Sequence, residues 1–272
     1  MQTQSLQFDG QTVVYHTSGS GPAVLLIHGN SGSGLSFQRQ LDAPALQHCH
    51  LVAIDLPGFG ASQPVANPER VMGLQGWAAT VRAVVEALKL DPVVLVGWSL
   101  GGHIALEVVD DLPQARGVLI FGTPPIAFPP DLEQAFLPNP ALASAFKPDL
   151  SEEETHAFVS SFFLPGTAEL PAAFLDDIRR SDGQARAAVA GSIRPDGYKD
   201  EVALVANLKV PLAVLHGEGE QLANGDYIAG LSMPTLWRNH VQIISGAGHA
   251  PQWEQPAHFN ELLAAFVADC VG

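Results

Sequence analysis

The stretch that most constrains this chain is Gly97-Trp98-Ser99-Leu100-Gly101. Val93-Val94-Leu95-Val96, just before it, is short, apolar and β-branched, which predicts a buried strand. After it, Ile104, Leu106 and Val108-Val109 recur at helical spacing, which predicts a helix over 102–112. A serine between such a strand and such a helix sits on a sharp, strained turn. Side chains two residues to either side would collide, so Gly97 and Gly101 are required there. The turn lifts the Ser99 hydroxyl above the end of a sheet, at a helix N-terminus that favours developing negative charge. That is the place of a nucleophile.

The rest of the chain alternates strands with helices. Leu6 to Asp9 and Thr12 to His16 flank a Gly10 turn and predict an opening hairpin. Strands are expected at 23–27, 50–54, 117–121, 210–216 and 241–245, and helices at 35–46, 77–90 and 256–270. This rhythm predicts an α/β fold, a mostly parallel sheet covered by helices on both faces. It breaks between Pro124 and Lys209, a stretch rich in proline, phenylalanine and acidic residues with no strand-like run. Short helices are expected there around Glu133, over 151–163 and over 171–189. The organisation expected is a core of residues 1–123 and 210–272, with 124–209 a helical cap over the sheet's C-terminal edge, where ligands bind in such folds.

Charge and cysteine content narrow the partners. The net charge of −15, from 28 acidic and 13 basic residues, argues against nucleic acid and against an anionic membrane surface. Cys49 and Cys270 alone make no disulfide framework, the first residues lack the basic and apolar regions of a signal peptide, and no apolar run reaches membrane-spanning length. A cytoplasmic location is the expectation. His48-Cys49-His50 lacks the aspartate cluster of a metal site and H-E-x-x-H is absent, so neither metal nor other cofactor is expected.

A serine hydroxyl needs a base, usually histidine, and that histidine needs a carboxylate to fix its tautomer. Among ten histidines, His249 stands on a small-residue loop, Ser245-Gly246-Ala247-Gly248-His249, directly after the last expected strand. The acid should follow the 210–216 strand, where Glu218, Glu220 and Asp226 compete. The usual position, three residues after the glycine, is Glu220. The oxyanion of a tetrahedral intermediate needs donors. The elbow places the Leu100 N–H, and Asn30, after the 23–27 strand, is the second candidate.

His28-Gly29-Asn30, Asp55-Leu56-Pro57-Gly58-Phe59-Gly60, the Ser99 elbow and Gly248-His249-Ala250-Pro251 together resemble the landmarks of the α/β-hydrolases, in order and spacing. The resemblance implies an eight-stranded sheet with only the second strand antiparallel, and a helical cap. More narrowly, His28-Gly29-Asn30-Ser31, Gly97 to Ile104, Gly122-Thr123-Pro124-Pro125 and the Glu220 acid resemble the metal-independent N-acyl-homoserine lactonases of that fold. This implies attack by Ser99 on a lactone carbonyl, with Asn30 and Leu100 binding the oxyanion and His28, Gly29, Trp98 and Phe158 near the substrate. Where those lactonases are expected to use a cap tyrosine, this chain has Phe158, which donates no hydrogen bond.

The function expected is serine hydrolysis of a small-molecule ester or lactone with an apolar acyl part, since phenylalanines crowd the cap. A general carboxylesterase, a carbon–carbon bond hydrolase, a perhydrolase and a non-catalytic ligand receptor share parts of this pattern. Serine at the elbow excludes haloalkane dehalogenases and epoxide hydrolases, which use aspartate there.

Overall fold

Ile27, Gly97 and Ile120 stand side by side on three adjacent parallel strands, so the residues that follow each of them emerge at one edge of a single sheet. In the computed structural model, which describes all 272 residues, that sheet has eight strands. They are β1 (Gln2–Phe8), β2 (Gln11–Ser18), β3 (Ala23–Ile27), β4 (His50–Ile54), β5 (Val93–Trp98), β6 (Ala115–Phe121), β7 (Leu212–Gly217) and β8 (Gln242–Ile244). Their order is β1-β2-β4-β3-β5-β6-β7-β8. β2 runs antiparallel to both neighbours and all other pairs are parallel, as the resemblance implied.

The parallel strands are apolar along their whole length because both of their faces are covered. On β3, Leu25 and Ile27 pack into one core, with α1 (Gly73–Ala87) and α2 (Leu100–Val108). Val24 and Leu26 point the other way, into a second core. Between β6 and β7 the chain forms no strand of the sheet. It makes a helical turn at Leu132–Ala135, a turn over Pro140–Phe146, then α3 (Glu152–Ser160), α4 (Ala172–Arg180), α5 (Gly183–Ser192) and α6 (Glu201–Asn207). The closing helix is α7 (Pro256–Val271), which packs Phe259, Leu263 and Phe266 on the second core. No helix is long and apolar enough to cross a membrane.

Four expectations change. The hairpin begins at Gln2 rather than Leu6, since β1 is an edge strand held by backbone pairing with no apolar pattern to reveal it. Its turn is Asp9-Gly10, both at positive φ, the conformation a two-residue hairpin needs. The helix expected over 35–46 is instead three short turns, interrupted before Pro44, whose ring cannot continue a helix. The helix expected over 171–189 is two, α4 and α5. Ser181 between them is extended, and Asp182 caps the second by accepting the Gln184 N–H. A helix over 201–207, capped by Asp200, was not foreseen.

Candidate active site

Ser99 carries the strain the elbow motif predicts, with φ 52° and ψ −118°. Thr123 Oγ1 donates to the Ser99 carbonyl at 2.8 Å, and the Ser99 N–H donates to the Phe121 carbonyl at 2.9 Å. A Cβ on Gly97 would overlap the Gly101 carbonyl and Gly102 Cα, and one on Gly101 would overlap the Ile27 carbonyl. These are backbone atoms that cannot swing aside. Gly101→Ala is therefore expected to cost about 3 kcal/mol, the upper end of overpacking effects. A urea midpoint equal to that of the unmodified protein would show that the elbow opens without loss.

Two N–H groups here have no backbone partner. Leu100 begins α2, so the helix offers its N–H no partner, and neither it nor the Asn30 N–H bonds to a loop carbonyl. Asn30 and Ser99 line one cavity of about 30 Å³, with Trp98, Phe158, Phe162 and Leu142 among its other walls. That is room for little more than a water or two.

The histidine and its acid meet at the same edge. His249 Nδ1 lies 2.8 and 3.0 Å from the two carboxylate oxygens of Glu220, and both side chains are buried. Glu220 accepts the Leu222 N–H as well, at 2.7 Å. Burial alone would raise the Glu220 pKa. The charge and hydrogen bond of His249, helped by the Leu222 N–H and His216, outweigh it and hold the carboxyl below its ordinary value. An ionised Glu220 accepts the Nδ1 proton, which leaves Nε2 as the basic nitrogen. That nitrogen is buried and has no partner in the chain. Glu218 instead accepts the Gly246 N–H at 3.2 Å on the surface, and Asp226 begins a short helix; neither reaches His249.

Packing fixes the histidine loop. The Trp98 indole donates to the His249 carbonyl at 2.8 Å, tying that loop to the residue before Ser99. Gly122, at φ 60°, leaves the space that the imidazole fills, since a Cβ there would come within 2.6 Å of it. Gly29 abuts Ser99 and the Trp98 ring, and a Cβ on it would lie 3.0 Å from that ring. Phe158 lines the cavity, its ring 4.7 Å from Phe162. His28 is a correction: it does not line the cavity. Its Nδ1 donates to the Gly29 carbonyl at 2.7 Å and its Nε2 accepts the Leu56 N–H at 3.1 Å. Both ring nitrogens are thus spent on the loop and on Leu56.

The 28–34 loop has supports that sequence reasoning did not identify. Asp55 accepts the Gly34 and Ala61 N–H groups, both at 2.7 Å, with the His16 ring 3.7 Å away. Burial would raise its pKa, but these donors and the nearby His28 prevail and lower it. Asn30 Nδ2 donates to the Ala145 carbonyl at 2.7 Å, and Ser33 Oγ donates to Asp177 at 2.6 Å. Arg186, buried on α5, donates to the Lys147 and Pro148 carbonyls and to Ser181 Oγ, and reaches Ser31 Oγ at 3.4 Å. One signal was readable: Asp177 falls on the apolar face of Phe174 and Ile178, where a carboxylate needs a partner.

Asp55 gives a pH prediction. Its folded pKa is depressed, so its stability contribution is present above the ordinary carboxylate value and lost as pH falls through the lower folded value. The Tm gap between the unmodified protein and Asp55→Asn is expected to shrink from about pH 6 to about pH 3. A constant gap would contradict this.

The chain is similar to known proteins over nearly its whole length. The profile of the alpha/beta hydrolase family matches residues 24–262. The N-acyl homoserine lactonase AidH, solved in complex with N-butanoyl homoserine, is 32% identical and superposes with a TM-score of 0.94 over 100% of this chain and 98% of its own. A 2-hydroxy-6-oxononadienedioate/2-hydroxy-6-oxononatrienedioate hydrolase of Dechloromonas aromatica is 27% identical over 272 residues, 93% of this chain and 89% of its own. The esterase RhEst1 from Rhodococcus sp. ECU1013 shares the fold, with 23% identity and a TM-score of 0.79 over 99% of this chain and 100% of its own. This chain belongs to the alpha/beta hydrolase family and is a hydrolase.

Proposed function

We propose that this protein hydrolyses a carboxylic ester or lactone through an acyl-enzyme on Ser99. The observation that carries the reading is the buried, unpartnered Nε2 of His249, backed at Nδ1 by Glu220. Ser99 Oγ attacks the carbonyl carbon as its proton passes to His249 Nε2. The carbonyl oxygen becomes an oxyanion, held by the N–H groups of Asn30 and Leu100. The intermediate collapses, and the departing alkoxide takes the proton from His249. In a lactone that alkoxide stays tethered, so the ring opens. His249 then deprotonates a water, which attacks the acyl-enzyme and frees the acid. Residues 124–209 act as the cap over this site.

N-acyl-homoserine lactone is the favoured substrate class, supported by the full-length likeness to AidH. The second reading is carbon–carbon bond hydrolysis, favoured by the names of relatives such as that of Dechloromonas aromatica. A dioate substrate carries two carboxylates, which call for cationic partners. No lysine or arginine lines the Ser99 cavity or the apolar cavity beside it. A neutral ester or lactone suits such walls better.

The test is incubation with N-hexanoyl-homoserine lactone in the presence of a chelator, with products read by mass spectrometry. Ring-opened N-hexanoyl-homoserine is expected. Free hexanoate with intact homoserine lactone would mean amide cleavage. No product, with an aryl ester still hydrolysed, would leave an esterase of another substrate.

A further inference from the structure

The chain contains a second histidine–glutamate pair. His103 lies one helical turn beyond Ser99 on α2 and is nine-tenths buried. Its Nδ1 stands 2.9 Å from both carboxylate oxygens of Glu201, and one of these also accepts the Ile126 N–H at 2.8 Å. The pair takes no part in the mechanism above. Burying two ionisable groups is costly, and apolar side chains would fill the same space at lower cost. With Nδ1 committed to Glu201, Nε2 is left without a partner in the chain, and the imidazole lines a cavity of about 70 Å³. The other walls are almost wholly apolar, with Leu100, Ile126, Leu132, Phe136 and Phe146 among them.

This cavity adjoins Ser99. Leu100, the residue after Ser99, lines this cavity, while Ser99 lines the other. The turn over 140–146 gives Ala145 to the Ser99 cavity and Phe146 to this one. A wide surface groove shares Leu142 with the first, and Leu132 and Phe136 with the second. The groove thus borders both cavities.

We propose that this second cavity receives the acyl chain of the substrate and that His103 Nε2 hydrogen-bonds one uncharged oxygen function on that chain, a hydroxyl or a keto group. The inference rests on the proposed ester or lactone hydrolysis. The Glu201 carboxylate already faces this imidazole, so a second acid there is redundant and a neutral oxygen suits it. A hydroxyl can pair with Nε2 whether it accepts or donates, a carbonyl only when it donates. A buried polar group left unpaired by a plain chain penalises that chain, whereas apolar walls alone discriminate weakly. His103 is thus a specificity residue.

The experiment compares kcat/KM for phenyl acetate, phenyl octanoate, phenyl 3-hydroxyoctanoate and phenyl 3-oxooctanoate. The unmodified protein is expected to favour one oxygenated chain over plain octanoate by about 10-fold or more. A preference for the keto chain shows that Nε2 donates. In the double variant His103→Phe/Glu201→Gln, which strands no buried charge, that ratio is expected to fall to near unity. Val189→Phe fills the cavity from α5, and there the octanoate-to-acetate ratio should drop about 10-fold. Ratios taken within one protein cancel any loss of folded material.

An oxygen preference absent from the unmodified protein, or retained in the double variant, overturns the role of His103. Hydrolysis of the acetate but of no octanoyl ester, or an octanoate-to-acetate ratio untouched by Val189→Phe, overturns the cavity assignment. Failure to hydrolyse even phenyl acetate overturns the underlying ester-hydrolysis reading instead.

Discussion

Ser99→Ala is expected to lower kcat by about 10⁵-fold or more, the scale on which loss of a serine nucleophile acts. Nothing else in the Ser99 cavity replaces it, because the walls around it are carbon and amide groups. The fold should be untouched. The Ser99 side chain makes no cap to α2, and alanine keeps the same backbone with one atom fewer. A Tm within about 2 °C of the unmodified protein should accompany the loss, as for a surface-like change. Retained turnover would mean that another group attacks. A collapse in Tm alongside the lost activity would mean that the serine is structural.

Glu220→Gln is the second large effect. The amide keeps the shape of the side chain and its bond to the Leu222 N–H, but removes the negative charge facing His249 Nδ1. The imidazole then has no reason to keep its proton on Nδ1 and can place it on Nε2, where it blocks proton transfer from Ser99. Exchanging a triad carboxylate for its amide costs about 10⁴-fold in kcat. Glu218→Gln, on the surface beside Gly246, should change activity less than about twofold, in keeping with a surface substitution. If the two variants exchanged these effects, the acid would be Glu218 and His249 would have to move.

The strands and the elbow turn were legible in the sequence for the same reason. A buried parallel strand is one unbroken apolar run, and the elbow admits only glycine at two fixed offsets. The expected run at 23–27 and the observed β3 coincide for that reason. β1 was only partly legible, since an edge strand needs no apolar pattern when its partner supplies the hydrogen bonds. The choice among Glu218, Glu220 and Asp226 stayed open in sequence, because three acids within nine residues differ only in where the chain turns. Geometry separates them by turning Glu220 inward onto His249. His28, which the lactonase resemblance places near the substrate, spends both its ring nitrogens within the loop and on Leu56.

The ties from the helical segment to the 28–34 loop were the least legible. Ser33 to Asp177 spans 144 positions and Asn30 to Ala145 spans 115, so neither leaves a local periodicity. These bonds join the loop that carries the Asn30 donor to three separate parts of the segment over the site: the 140–146 turn, α4 and α5. The cap of the proposed mechanism would therefore help set the oxyanion geometry as well as cover it.

The most direct test of the Ser99 mechanism is intact-mass analysis after exposure to a fluorophosphonate, followed by peptide mapping. The account predicts one adduct per chain, on Ser99, forming at least about 100-fold more slowly in His249→Ala, which lacks the general base. An adduct on another residue, no adduct at all, or equal labelling without His249 would contradict it.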